Sequence, residues 1–118
     1  MQDPNRRRRA VRFIIKSRTE RKNFLPQSLF SEPAWDMLLK LYAAAIEQQS
    51  VSILSLAKAA DVQSSTAVRW VAALEHQGLV TRERSNSAQA ISLSEQGWLA
   101  MDSYFVFSIW TALRLRPA

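Results

Sequence analysis

Within two helical turns, Ser64-Ser65-Thr66-Ala67-Val68-Arg69-Trp70-Val71 brings together three small hydroxyls, one guanidinium and two branched alkyl groups. At helical spacing Ala67, Trp70, Val71 and Leu74 share one flank, and Ser64, Ser65, Thr66, Val68, Arg69, Ala72 and His76 fall on the opposite one. The first flank is expected to pack on the preceding helix and the second to face outward. Such an outward face suits recognition. An arginine can grip guanine O6 and N7 with two hydrogen bonds, and a valine methyl can meet the thymine methyl. Hydroxyls at a helix N-terminus sit where free amides and the helix dipole attract a phosphate. Ala72 adds no bulk, so the face can approach a groove wall closely.

Other chemistries lack their residues. The 118-residue chain has no cysteine, which removes disulfides, thiolate nucleophiles and Cys-ligated zinc. Its two glycines, Gly78 and Gly97, lie too far apart for a phosphate-cradling loop or a dinucleotide fingerprint. His76 is the sole imidazole, and its place near a helix end is explained by the C-terminal dipole. No catalytic, cofactor-binding or metal-ligating set is therefore assigned.

Charge is concentrated at one end. Residues 1–22 carry nine basic and two acidic groups, a net +7, and the remainder of the chain sums to −1. A basic arm on a near-neutral body fits a polyanion, with Arg6, Arg7, Arg8 and Arg9 as candidate phosphate contacts. Inert solvation, or an anionic membrane surface with Phe13, Ile14 and Ile15 inserted, are the other readings of this segment.

The elements that must carry these groups follow from periodicity and punctuation. A helix over 6–22 would collect Ala10, Phe13, Ile14 and Ser17 in a narrow stripe. Ser31 and Pro33 open the next helix as N-cap and first-turn proline. Trp35, Leu38, Leu39, Tyr42, Ala45 and Ile46 line its main face, and Met37, Leu41 and Ala44 form a flanking stripe, so cover on two sides is expected. Gln48-Gln49-Ser50 closes it, and Val51-Ser52-Ile53 is a short extended piece in which Ser52 caps a helix to about Ala60, with Leu56, Ala57 and Ala60 inward. Asp61-Val62-Gln63 is a turn, and a helix over 64–77 ends at Gly78 in a left-handed cap. Runs 79–84 and 89–93, joined by Ser85-Asn86-Ser87-Ala88, read as a hairpin. Arg82 and Arg84, two apart on one strand face, are candidate contacts to a phosphate backbone or minor groove. Ser94 caps a last helix to about Arg114.

This order is that of a winged helix-turn-helix. The segments Val51-Ser52-Ile53-Leu54-Ser55-Leu56-Ala57, Asp61 to Val71, Leu74-Glu75-His76-Gln77-Gly78-Leu79-Val80 and Leu93-Ser94-Glu95-Gln96-Gly97 resemble the MarR family of bacterial transcription regulators across about residues 32–105. The resemblance implies a mainly α fold with a small β-hairpin wing, dimerising through its terminal helices. It implies contacts to double-stranded DNA from Ser64, Ser65, Thr66, Val68 and Arg69, and regulation, in many members, by a small phenolic or similar effector. The family's wing carries an Asp-x-Arg motif near its tip; Ser85-Asn86-Ser87-Ala88 has neither residue.

In the last helix Trp98, Leu99, Met101, Tyr104, Phe105, Val106, Phe107, Ile109, Trp110 and Leu113 lie on nearly every side. A helix apolar all round must be buried all round, which a two-fold homodimer would achieve; a wedge between helices of its own chain is the alternative. Trp35, Tyr42 and Trp98 stand at core spacing, and no effector is assigned to them. No membrane partner is assigned either: the longest apolar-rich run, 98–113, contains Asp102. Arg12 and Lys16 interrupt any signal-peptide apolar region, although an Arg-rich start also suits an organellar transit peptide. The sequence therefore predicts a cytoplasmic chain with a basic arm (1–22), a winged helix-turn-helix (23–93) and a dimerisation helix (94–118). The rival reading is a winged-helix module for protein–protein contact with a non-specific basic arm, favoured by the scarcity of cations near Arg69.

Overall fold

Helix α2, Pro33–Ile46, is the spine on which everything else packs. The structure, a computed structural model, describes residues 4–20, 23, 32–85 and 88–114, with side chains for 5–20, 23, 32–83 and 89–109. Met37, Leu41 and Ala44 of α2 enter one apolar cluster, and Leu39 and Tyr42 enter a second. Cover on two sides is thus found. Met37, Leu41 and Ala44 are enclosed, and on the expected main face Leu39 and Tyr42 are enclosed, Trp35, Leu38 and Ile46 half-buried and Ala45 exposed. The first stripe faces short elements that close around it; the second faces the terminal helices, which leave gaps. Pro33 is in the first turn as expected, but the N-cap position belongs to Glu32, which makes no side-chain cap bond. Ser31, the expected cap, lies outside the described residues.

The first cluster joins α2 to α3 (Ile53–Ala60), α4 (Ser64–His76), β1 (Val80–Ser85) and β2 (Ala88–Leu93). Their ends are defined by local bonds. The Ser52 hydroxyl accepts the Ser55 amide at 3.1 Å and starts α3. Asp61 adopts φ 55°, and the Val62 amide reaches back to the Ala57 carbonyl at 3.0 Å, stopping α3 after two turns. Gly78, at φ 78°, ends α4, with its amide on Glu75 and the Leu79 amide on Leu74. This paired pattern closes a helix through a left-handed residue that glycine adopts without strain. The two strands pair antiparallel from Val80 opposite Leu93 to Ser85 opposite Ala88. The connection is therefore residues 86 and 87 alone, shorter than the four-residue tip expected. Val51, the short extended piece, adds an isolated bridge to Ile91, whose amide donates to the Val51 carbonyl at 2.8 Å.

The second cluster holds α1 (Pro4–Glu20) and α5 (Glu95–Arg114) against α2. Ser94 sets the start of α5: its hydroxyl accepts the Gly97 amide at 2.9 Å and donates to the Gly78 carbonyl at 2.6 Å. Gly97 lies so close to the base of the hairpin that a Cβ there would stand 2.0 Å from the Leu79 carbonyl oxygen. Only glycine fits, and the close approach fixes where α5 leaves the wing. Further along, the Tyr42 ring stacks on Phe105 and tilts against Trp98, with centroids 4.8 and 4.9 Å apart. The Tyr42 hydroxyl donates to Asp102 Oδ1 at 2.6 Å, and Arg7 Nε lies 3.1 Å from the same oxygen. Burial, with the Asp102 bond and charge behind it, holds the Tyr42 phenol well above its ordinary pKa.

The expected stripe of α1 is corrected, and the all-round apolar character of α5 is met by partial cover. In α1 the enclosed residue is Val11, flanked by half-buried Ile14 and Ile15, while Phe13 is 71% exposed and Ser17 is exposed. Ion pairs decide the rotation. Arg7 to Asp102, Arg8 and Arg12 to Glu47, and Arg18 to Asp36 at 2.8 Å pull one side of the helix onto α2 and α5, and Val11 lies on that side. In α5 only part of the apolar surface is covered by this chain. Met101 and Phe105 are buried, but Leu99, Tyr104 and Phe107 are exposed, the last to 66%. Among the described residues no helix is long and apolar enough to cross a membrane.

Candidate nucleic-acid interface

The outward face of α4 is built by the residues that anchor its other side. Ala67, Val71 and Leu74 are the buried residues of α4, closing on α3 and α2 across a three-residue turn. Their position leaves Ser64, Ser65, Val68, Arg69, Ala72, Ala73 and His76 exposed, and Thr66 half-buried. Arg69 is thus uncovered by its own chain, as the sequence predicts. Its guanidinium has Ser65 one turn before it and Ala72 one turn after, a strip with no acid and little bulk. At the N-terminus of α4 the cap residue Gln63 is extended and makes no side-chain cap bond. The amides of the first turn have no partner within the helix, and hydroxyls of Ser64 and Ser65 stand beside them.

Trp70 departs from expectation. It was expected on the sealed flank with Val71 and Leu74, yet it is 37% exposed. Ala67, Val71 and Leu74 are the enclosed residues of α4, and the indole sits at the edge of that stripe. Its exposed edge borders the polar face and adds an aromatic surface beside Arg69.

The wing contributes differently from the sequence reading. Arg82 lies opposite Ile91 and shares its strand side with Val80, both of which are buried. That side of the hairpin turns toward α4, not toward solvent, and the Arg82 Nε–H donates to Glu75 Oε1 at 3.1 Å. Thr81 and Glu83 occupy the outer side. Arg84 is paired with Gln89 near the tip; its side chain lies outside the described set. Glu75 as the partner of Arg82 escaped the sequence reading. The signal was present, because an arginine in register with two apolar core positions must route its head along the neighbouring element.

The basic arm is also divided. Arg7 and Arg8 are half-buried on Asp102 and Glu47, while Arg6 and Arg9 are exposed. The four consecutive arginines therefore do not share one face: Arg6 and Arg9, one turn apart, lie on the open side of the helix and Arg7 and Arg8 on the packed side. Among the described residues, no group of acids and histidine could hold a metal ion.

Two helices joined by a tight turn, with a hairpin returning from the second helix to its base, define a winged helix-turn-helix. The MarR family profile matches residues 30–88, half of the chain, and the chain belongs to the MarR family. Members of that family are transcription regulators rather than enzymes. Among solved structures, a protein of Archaeoglobus fulgidus is similar at a TM-score of 0.58 and 21% identity, over 71% of this chain and 93% of that one. A MarR family transcriptional regulator of Silicibacter pomeroyi is similar at 0.55 and 25%, over 70% of this chain and 57% of that one. MepR of Staphylococcus aureus, in its complex with DNA, is similar at 0.60 and 21%, over 91% of this chain and 84% of that one. No curated protein matches the chain by sequence.

Proposed function

We propose that this protein is a homodimeric, sequence-specific DNA-binding transcription regulator whose α4 enters the major groove. The observation that carries this reading is the open face of α4, with Arg69 exposed between Ser65 and Ala72 and the Ala67–Val71–Leu74 side sealed. On that face Arg69 is the base-reading group, Val68 supplies apolar contact, and Ser64, Ser65 and Thr66 with the first-turn amides take a backbone phosphate. Ala72 lets the helix sit close to the groove. Arg84 at the wing and Arg6 and Arg9 on α1 are accessory cations; Arg7, Arg8 and Arg82 reach DNA only by leaving an acid.

The dimer is supported by Phe13, Leu99, Tyr104 and Phe107, apolar side chains exposed on the two terminal helices. A two-fold pairing through those helices would cover them and set two copies of α4 about one DNA turn apart, which calls for a roughly palindromic site. A duplex-binding regulator of this kind works in the cytoplasm, by occupying a promoter.

Selection of bound sequences from random duplexes at two salt concentrations tests the reading. Enrichment of a two-fold symmetric site is expected, and Arg69→Ala should weaken binding to it tenfold or more, corresponding to ~1–3 kcal/mol for a bidentate base contact. Binding without sequence preference that disappears with residues 1–22 would instead favour a protein-contact module with a sticky arm.

A further inference from the structure

Glu75 is oddly placed for a residue of a DNA-reading helix. It stands in the last turn of α4, where a carboxylate meets the negative end of the helix dipole and unpaired carbonyls. It is also exposed on the element that would approach a polyanion. Its partner explains how it is held. The stem of Arg82 is fixed by its register opposite Ile91 and its shared side with Val80, and its head meets Glu75 at 3.1 Å. Both side chains keep solvent access, 26% for Arg82 and 45% for Glu75. The pair is therefore open to exchange. A guanidinium binds carboxylate and phosphate oxygens through the same fork of N–H donors, so a DNA phosphate and Glu75 compete for one group.

Resting on the regulator reading above, we infer that Glu75 restrains DNA binding by holding Arg82 as an internal stand-in for a backbone phosphate. In the free protein the carboxylate occupies Arg82 and ties the root of the wing to the end of α4. When DNA arrives, Arg82 transfers from Glu75 to phosphate, and the lost ion pair subtracts from the affinity gained. Glu75 thereby lowers affinity for all sequences alike, since phosphates carry no base identity, and leaves the discrimination made by Arg69 untouched.

The test is a double-mutant cycle on binding to a random-sequence duplex across a series of sodium chloride concentrations, using the full chain. Glu75→Gln should tighten binding about two- to fivefold at low salt, the scale of an exposed ion pair. The log–log salt slope should stay close to that of the wild type, because Arg82 reaches the same phosphate in both proteins. In an Arg82→Ala background the same change should have little effect on either quantity. Equal tightening with and without Arg82 would reduce Glu75 to a bystander charge and overturn the inference. Weaker binding by Glu75→Gln would overturn it too, because Glu75 would then be presenting Arg82 to DNA. In both cases the wild-type chain still binds duplex and the regulator reading survives. A wild-type chain that binds no duplex at any salt concentration ends both.

Discussion

The two clusters on either side of α2 are built on different principles. Around Met37, Leu56, Val71 and Ile91 the interior is wholly apolar and sealed by short elements, each stopped by a defined cap. Around Tyr42, Met101 and Phe105 the interior is aromatic, a phenol and a carboxylate bond within it, and four arginines of α1 are tied to acids at its margin. The first unit closes on itself and leaves one polar face free. The second stays open, with Phe13 and Phe107 in solvent. On the reading proposed above, the sealed half presents α4 to DNA, and the open half is where a second copy would pack.

If that contrast is right, damage to the sealed cluster should be the most costly. Leu56→Ala removes a side chain with no solvent exposure and should lower stability by about 2–5 kcal/mol, measured by denaturant unfolding. A loss below 1 kcal/mol would mean that this core is as loosely made as its neighbour.

Next in size is Tyr42→Phe, which deletes the bond to Asp102 while keeping the ring stack. A loss of about 1.5–3 kcal/mol is expected for a hydrogen bond to a charged acceptor. The same residue gives a pH dependence. With its folded pKa raised, the Tyr42 contribution is complete below the unfolded phenol value of about 10 and is lost as pH rises toward the folded one. Wild-type stability should therefore fall more steeply above that pH than stability of the Phe variant. Parallel curves would remove the buried-phenol account.

The smallest effect concerns α1. Its ion pairs to the rest of the chain all keep some solvent access, Arg12–Glu47 most and Arg7–Asp102 and Arg18–Asp36 least; an exposed pair is worth about 0.2–1 kcal/mol and is screened by salt. Raising sodium chloride to about 1 M, where the screening length is ~3 Å, should speed amide exchange in α1 and leave α4 unchanged. Equal protection of α1 at low and high salt would show that Val11 and Ile14, not the arginines, hold it.

Local chemistry accounts for what could be read directly. Ser52, Asp61, Gly78 and Ser94 each end or start a helix through bonds to residues a few positions away, so spacing alone located α3, α4 and the start of α5. The exposed setting of Arg69 followed as well, because Ala67, Val71 and Leu74 leave a helix no other side to bury. What depended on distant partners could not be read this way. Which side of α1 faces inward was decided by Glu47, Asp36 and Asp102, and the direction of Arg82 by Glu75 on another element. Trp70 lies at the edge of the α4 stripe rather than inside it. Periodicity records which residues share a side, and it is silent on what that side meets; charge pairing and packing belong to the assembled chain, and they made those choices.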